Sequence, residues 1–118
     1  MALSTNDGFI IQNRPVGDFA GWATESGVEV VTGDFNRDRR TDIGLVRQDS
    51  GWASVPVALS QDNSFVIRNP GVGDFAVWAA TSGVLVITGD FNGDGRTDIG
   101  LVRQEPGWAS VPVALSTP

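Results

Sequence analysis

The residues best suited to chemistry lie in Asp90-Phe-Asn92-Gly-Asp94-Gly95-Arg96-Thr97-Asp98. Side-chain oxygens fall at the first, third, fifth and ninth places, and a glycine stands sixth, where the chain must turn sharply. That alternation wraps a short loop round one point, and the carbonyl at the seventh place, on Arg96, adds a further oxygen. The donors are all hard oxygens, which suit Ca2+ because it tolerates irregular coordination that Mg2+ does not. The same residue types also suit an Asx-turn hairpin, in which Asp and Asn side chains hold backbone amides. A second loop, Asp34-Phe-Asn36-Arg37-Asp38-Arg39-Arg40-Thr41-Asp42, keeps every side-chain oxygen, with the seventh-place carbonyl on Arg40. It replaces both glycines by Arg37 and Arg39. A bulky residue at the sixth place must adopt a positive φ or reshape the loop. The added cations also oppose binding of a metal ion. Both loops are candidate Ca2+ sites, the first in sequence being the weaker.

These loops belong to a unit written twice. Residues 2–57 align without gaps on residues 58–113, and about 39 of the 56 pairs are identical, roughly 70%. Residues 114–118 begin a third copy, Ala114-Leu115-Ser116 repeating Ala2-Leu3-Ser4. Each copy reads as four short strands. Val28–Thr32 and Val84–Thr88 are β-branched and run into Gly-Asp-Phe turns. Ile43–Arg47 and Ile99–Arg103 follow the acidic loops. Trp52–Leu59 and Trp108–Leu115 alternate in polarity, with Pro56 and Pro112 marking an edge or bulge. Phe65–Asn69 and Phe9–Asn13 supply the fourth strand. No segment has a helical period, so the fold class is all-β. Phe35 and Phe91 alternate with the loop oxygens and are expected in the core.

Four-stranded units at this period suggest β-propeller blades of antiparallel strands, two per chain. Two blades cannot close a ring, so the ring is expected to be completed by oligomerisation. Val28–Leu59 with Phe65–Asn69 makes one whole blade. Phe9–Asn13 lacks a preceding partner and Val84–Leu115 a following one, so these halves are expected to pair across subunits. The result is a homo-oligomer, a trimer of six blades being favoured over a tetramer of eight.

Composition removes several classes of chemistry. The 118 residues hold 14 acidic and 8 basic side chains, for a net charge of −6, and contain no Cys, His, Tyr or Lys. Thiolate, imidazole and Schiff-base catalysis are therefore unavailable, as are zinc and haem sites built on His or Cys. An enzyme is not expected. Scattered Arg on an acidic chain gives no nucleic-acid footprint. No apolar run approaches a membrane span, and Met1-Ala-Leu-Ser-Thr-Asn-Asp has neither the basic segment nor the apolar core of a signal peptide.

In such a blade the acidic loops lie at one end. At the other gather Asp18, Trp22, Asp74 and Trp78, joined by Trp52 and Trp108 with Arg47, Gln48, Arg103 and Gln104 beside them. Indole rings stack on the apolar face of a sugar while polar neighbours bond its hydroxyls, so this end is a candidate carbohydrate site. Trp22 and Trp78 equally suit packing between blades, Asp18 and Asp74 suit loop capping, and Arg47 and Arg103 suit pairing with Asp49 and Glu105.

GDFNGDGRTDIGLV resembles the FG-GAP or VCBS repeat of integrin-like propellers. In that family a DxNxDGxxD loop joins the first two strands of a blade and holds calcium. The GDFAxWA and GWASVPVALS segments look most like bacterial VCBS-type propellers. They are less closely similar to propellers of the Psathyrella velutina lectin type, which bind N-acetylglucosamine. The resemblance covers nearly the whole chain. It implies an extracellular or cell-surface, calcium-stabilised, lectin-like module, although family members carry about seven blades in one chain. A structural or protein-interaction propeller without a sugar site is the competing reading, and the high internal identity also fits an engineered or excised blade pair.

Overall fold

The computed structural model describes residues 2–5, 8–49, 51–62 and 64–117, the side chains of 2–5 and 8–10 excepted. Pro118, expected to continue the third copy, lies outside the described residues. The chain is mostly β, with two antiparallel sheets of four and three strands, a separate hairpin and two short helices.

The four-stranded sheet holds β3 (Val28–Gly33), β4 (Asp42–Arg47), β5 (Val57–Ser60) and β6 (Phe65–Arg68), paired in that order. The three-stranded sheet holds β7 (Val84–Gly89), β8 (Asp98–Arg103) and β9 (Val113–Ala114). Their registers repeat: Val28 faces Arg47 and Gly33 faces Asp42, as Val84 faces Arg103 and Gly89 faces Asp98. β5 and β9 are shorter than their alternating pattern suggested. Proline has no N–H to give a ladder, so β5 starts only after Pro56 and β9 after Pro112. The proline carbonyls still accept, from Leu45 N–H at 2.9 Å and Leu101 N–H at 3.0 Å. Before Pro56 the chain makes only a bridge between Ser54 and Gly71.

Two expectations are corrected here. Helices α1 (Asp18–Trp22) and α2 (Asp74–Ala79) stand where no helical period was visible. Five and six residues are too few to display a 3.6-residue repeat. Gly17 (φ 57°) and Gly73 (φ 54°) provide the left-handed residue that leads into each. The strand expected at Phe9–Asn13 is β2 (Gly8–Ile11), and it does have a partner in its own chain. Strand β1 (Ala2–Thr5) lies antiparallel to it, with Ala2 opposite Ile11 and Ser4 opposite Phe9. That register reproduces β5 on β6, where Ala58 faces Ile67 and Ser60 faces Phe65.

Two cores result. One gathers Phe19, Leu45 and Ala58, with Val16, Trp22, Val28, Ile43 and Trp52 packed against them. The other lies between the repeats. There Val31, Phe35, Val46, Val55 and Val57 of the first meet Phe75, Ala79, Val84, Ile99 and Leu101 of the second. Each Val, Leu, Ile or Phe among them, once removed from water, contributes on the order of 1.5–3 kcal/mol. Phe35 is core as expected, but Phe91 is 47% exposed, because none of the described residues covers the far side of the second repeat as the second repeat covers the first.

Candidate functional site

The acidic loops follow β3 and β7, and each brings its three aspartates together. One oxygen from each of Asp34, Asp38 and Asp42 lies within 4.8 Å of the others, and Asp90, Asp94 and Asp98 do the same. The same backbone builds both. Gly93 and Gly95 have φ of 76° and 84°, and Arg37 and Arg39 hold 61° and 68° in their place. The positive φ expected of a bulky sixth residue is therefore accepted rather than avoided, at roughly 1–2 kcal/mol for each arginine.

The carboxylates also hold the loops from inside. Asp34 accepts from Asp38 N–H (3.1 Å) and Arg39 N–H (2.8 Å), and Asp90 accepts from Gly93 and Gly95 N–H, each at 2.8 Å. Asp38 accepts from Arg40 N–H and Asp94 from Arg96 N–H, both at 2.9 Å. Those amides hold the Asp38 and Asp94 carboxyls below their ordinary range. With its amide nitrogen toward the carboxylates, Asn36 reaches Asp38 at 3.0 Å and Asp34 at 3.1 Å, while Asn92 is exposed beside Asp94.

Asp42 and Asp98 are fully buried. Asp42 joins three segments, accepting Phe35 N–H at 3.0 Å and Ser60 N–H at 2.8 Å; Asp98 accepts Phe91 N–H at 2.9 Å and Ser116 N–H at 2.8 Å. Burial pushes the Asp42 carboxyl up, against the pull of those two amides. Ser60 and Ser116 hydroxyls, which the sequence did not single out, donate to the Thr41 and Thr97 carbonyls. Arg96 turns back onto its own loop, while Arg40 links its loop to the turn between β5 and β6. Arg40 meets Asp38 at 3.5 Å and Asp62 at 2.8 Å, and Arg96 meets Asp94 at 3.3 Å.

The donor set fits a hard cation. It offers three converging carboxylates per loop, with no nitrogen or sulfur ligand among them. Each carboxylate oxygen that accepts one N–H keeps a second lone pair. Asx-type bonding and metal binding are thus compatible in one loop.

At the other end of the first sheet, Trp22 and Trp52 line one concavity of about 220 Å³, together with Glu25, Ser54, Pro56 and Asn69. Glu25, Ser54 and Asn69 carried no motif; Glu25 follows Trp22 by three residues and Ser54 follows Trp52 by two, while β6 delivers Asn69 at its end. Arg47 does not pair with Asp49 as expected. Its guanidinium lies 5.8 Å from the Trp52 ring centre, meets Glu25 at 3.7 Å and donates to the Ser26 carbonyl at 3.2 Å. It therefore braces one indole and one carboxylate of the concavity. Arg103 does meet Glu105, at 3.9 Å. In the second repeat Trp108 packs against the core between the repeats and Trp78 is 44% exposed. Asp18 and Asp74 are exposed in the first turns of α1 and α2, outside the concavity that Trp22 and Trp52 line.

No helix among the described residues is long and apolar enough to cross a membrane. No protein-family model matches the chain, and no curated protein or solved structure matches it significantly.

Proposed function

We propose that this chain supplies two blades of a calcium-stabilised β-propeller that binds carbohydrate in an extracellular or cell-surface setting, with the ring completed by further copies, three chains giving six blades. The observation that carries the sugar reading is the meeting of Trp22 and Trp52 in one concavity with Glu25, Ser54 and Asn69. Two rigid indoles offer stacking surface, and a few fixed polar groups supply the hydroxyl partners. The acidic loops lie at the opposite end of the sheet, so Ca2+ acts on the fold rather than on the ligand. It neutralises three clustered carboxylates and stiffens the hairpin that carries them. Two ions per chain would offset about four of the six net negative charges. Binding and release need no catalytic group.

A glycan array probed with the intact protein, in calcium and in chelator, tests this reading. Binding to a defined glycan class in calcium, weakened in chelator, supports it, and silence across chemically diverse glycans refutes it. The second reading, a structural or protein-interaction propeller, is favoured by an apolar groove of about 540 Å³ along the junction of the repeats, lined by Phe35, Val55, Leu59, Val72 and Leu115.

A further inference from the structure

The junction inside the chain has two unused halves at its ends. At the junction, the far face of the first repeat is covered: Phe35 is 8% and Val55 4% exposed, and Leu59 packs against the core. The matching residues of the second repeat, Phe91, Val111 and Leu115, are 47%, 52% and 49% exposed. The near faces differ in the same sense. Val84 and Ile99 are buried, while Val28 and Ile43 are only half-buried.

Polar contacts follow the same rule. Gln48 donates from Nε2 to the Val84 carbonyl at 2.6 Å, and Asp34 N–H donates to Thr97 Oγ1 at 2.8 Å. Their counterparts, Gln104 with Val28 and Asp90 with Thr41, sit on the two uncovered ends, where Gln104 and Thr41 are exposed. Loop composition is matched too. Arg37 packs so closely on Gly95 that a Cβ there would lie 2.9 Å from its Nε. Repeating the junction sets Arg39 against Gly93, again one arginine against one glycine. Joining two first repeats would instead set Arg37 against Arg39.

We propose that the far face of the second repeat binds the near face of the first repeat in a second copy of this chain, and that β2 of that copy leaves its own β1 to pair with Ala114–Thr117. This rests on the ring part of the proposed function and specifies its interface. Ala2–Thr5 and Ala114–Thr117 are the same tetrapeptide, Ala-Leu-Ser-Thr, so they compete for β2 in one register. In the single chain β1 stands in for the strand a neighbour supplies, which protects the edge of β2 until assembly. The contact is head-to-tail, so it propagates until rotation closes the ring.

Light scattering on the intact protein in calcium reads the mass directly, together with two variants. The wild type is expected at a multiple of the 12.5 kDa chain mass. Val111→Asp is expected to fall to the single-chain mass with its sheet spectrum kept. The chain has no cysteine of its own, so Ala2→Cys/Ile11→Cys can lock β1 to β2 when oxidised. It is expected to be a monomer when oxidised and an oligomer when reduced, which covers the case in which Val111→Asp fails to fold. A folded wild-type monomer overturns the interface, and an oxidised lock that assembles as well as the reduced form overturns the strand exchange. The glycan pocket lies within the first repeat and is read separately. A monomer that binds glycans defeats this inference together with the ring it rests on and leaves the sugar reading standing, whereas an oligomer that binds none defeats the sugar reading alone.

Discussion

Asp34 and Thr97 are bonded to each other twice across the repeat junction. The Asp34 N–H donates to Thr97 Oγ1 at 2.8 Å, and the Thr97 N–H donates to the Asp34 carbonyl at 2.7 Å. Gly33 makes the approach possible, since a Cβ there would overlap the Thr97 side chain. One acidic loop is thereby pinned to the other. Thr97→Val keeps the shape and removes the acceptor, leaving the part-buried Asp34 N–H without its partner. It should lower stability by about 1–3 kcal/mol, measured by chemical denaturation. A change within a few tenths of a kcal/mol would show that the pin does not matter.

The arginines of the first loop carry strain that the second loop avoids. Relief of a left-handed arginine is worth about 1–2 kcal/mol, and the entropy of a new glycine takes back about 0.5–1 kcal/mol. Arg39→Gly should therefore stabilise the metal-free protein by roughly 0.5–1 kcal/mol. Arg37→Gly/Arg39→Gly should also raise the calcium affinity of the first loop by about fivefold, since two cations leave its neighbourhood. Calorimetric titration and thermal melts in chelator read both effects. Unchanged affinity in the double variant would contradict the electrostatic part.

The proposed calcium site of the second loop needs Asp94, whose carboxylate stands at the fifth place of the acidic spacing. Asp94→Ala should abolish the tighter of the two binding events in calorimetry and leave the weaker one. Asp38→Ala should do the reverse. Equal binding by the wild type and both variants would place any calcium elsewhere.

Acidification should act on the two kinds of aspartate in opposite directions. Burial raises the Asp42 carboxyl above its unfolded value, so its charged form opposes folding and that penalty disappears as pH falls through the raised value. Asp38 and Asp94 are lowered by backbone amides. Their stabilising contribution is complete above the unfolded value, about 3.9, and is lost as pH falls through the lower folded ones. In chelator, thermal stability should rise on moderate acidification and fall on further acidification. In calcium, affinity at the first loop should drop where Asp42 takes up its proton. A monotonic fall from neutral pH would contradict the placement of Asp42.

Much of this architecture is legible in the residues themselves. β-branched runs before Gly-Asp-Phe locate β3 and β7, and the acidic spacing locates both aspartate clusters. Gly95 against Arg39 locates the strain. The legible features share a local cause, in that neighbouring residues alone fix them. Where the reading failed, the cause was not local. Phe35 and Phe91 stand in the same Thr-Gly-Asp-Phe-Asn segment, and the neighbouring repeat buries one and leaves the other exposed. Trp22 with Glu25, Trp52 with Ser54, and Asn69 come from three separate segments that only the folded sheet brings together, which no spacing encodes. Helices α1 and α2 are one turn or so in length, below what a period can reveal, and Pro56 shortens β5 by withholding a single N–H.

The most direct test of the sugar site is saturation-transfer NMR between the protein and a glycan bound in the array, comparing the wild type with Trp52→Ala. Trp52 is half-buried and braced by Arg47, so its removal strips the pocket of one stacking face while the aspartate loops stay at the far end of the sheet. The account predicts transfer to the ring protons of the sugar in the wild type and its loss in the variant, with calcium binding and the sheet spectrum unchanged. Equal transfer in both proteins would contradict it.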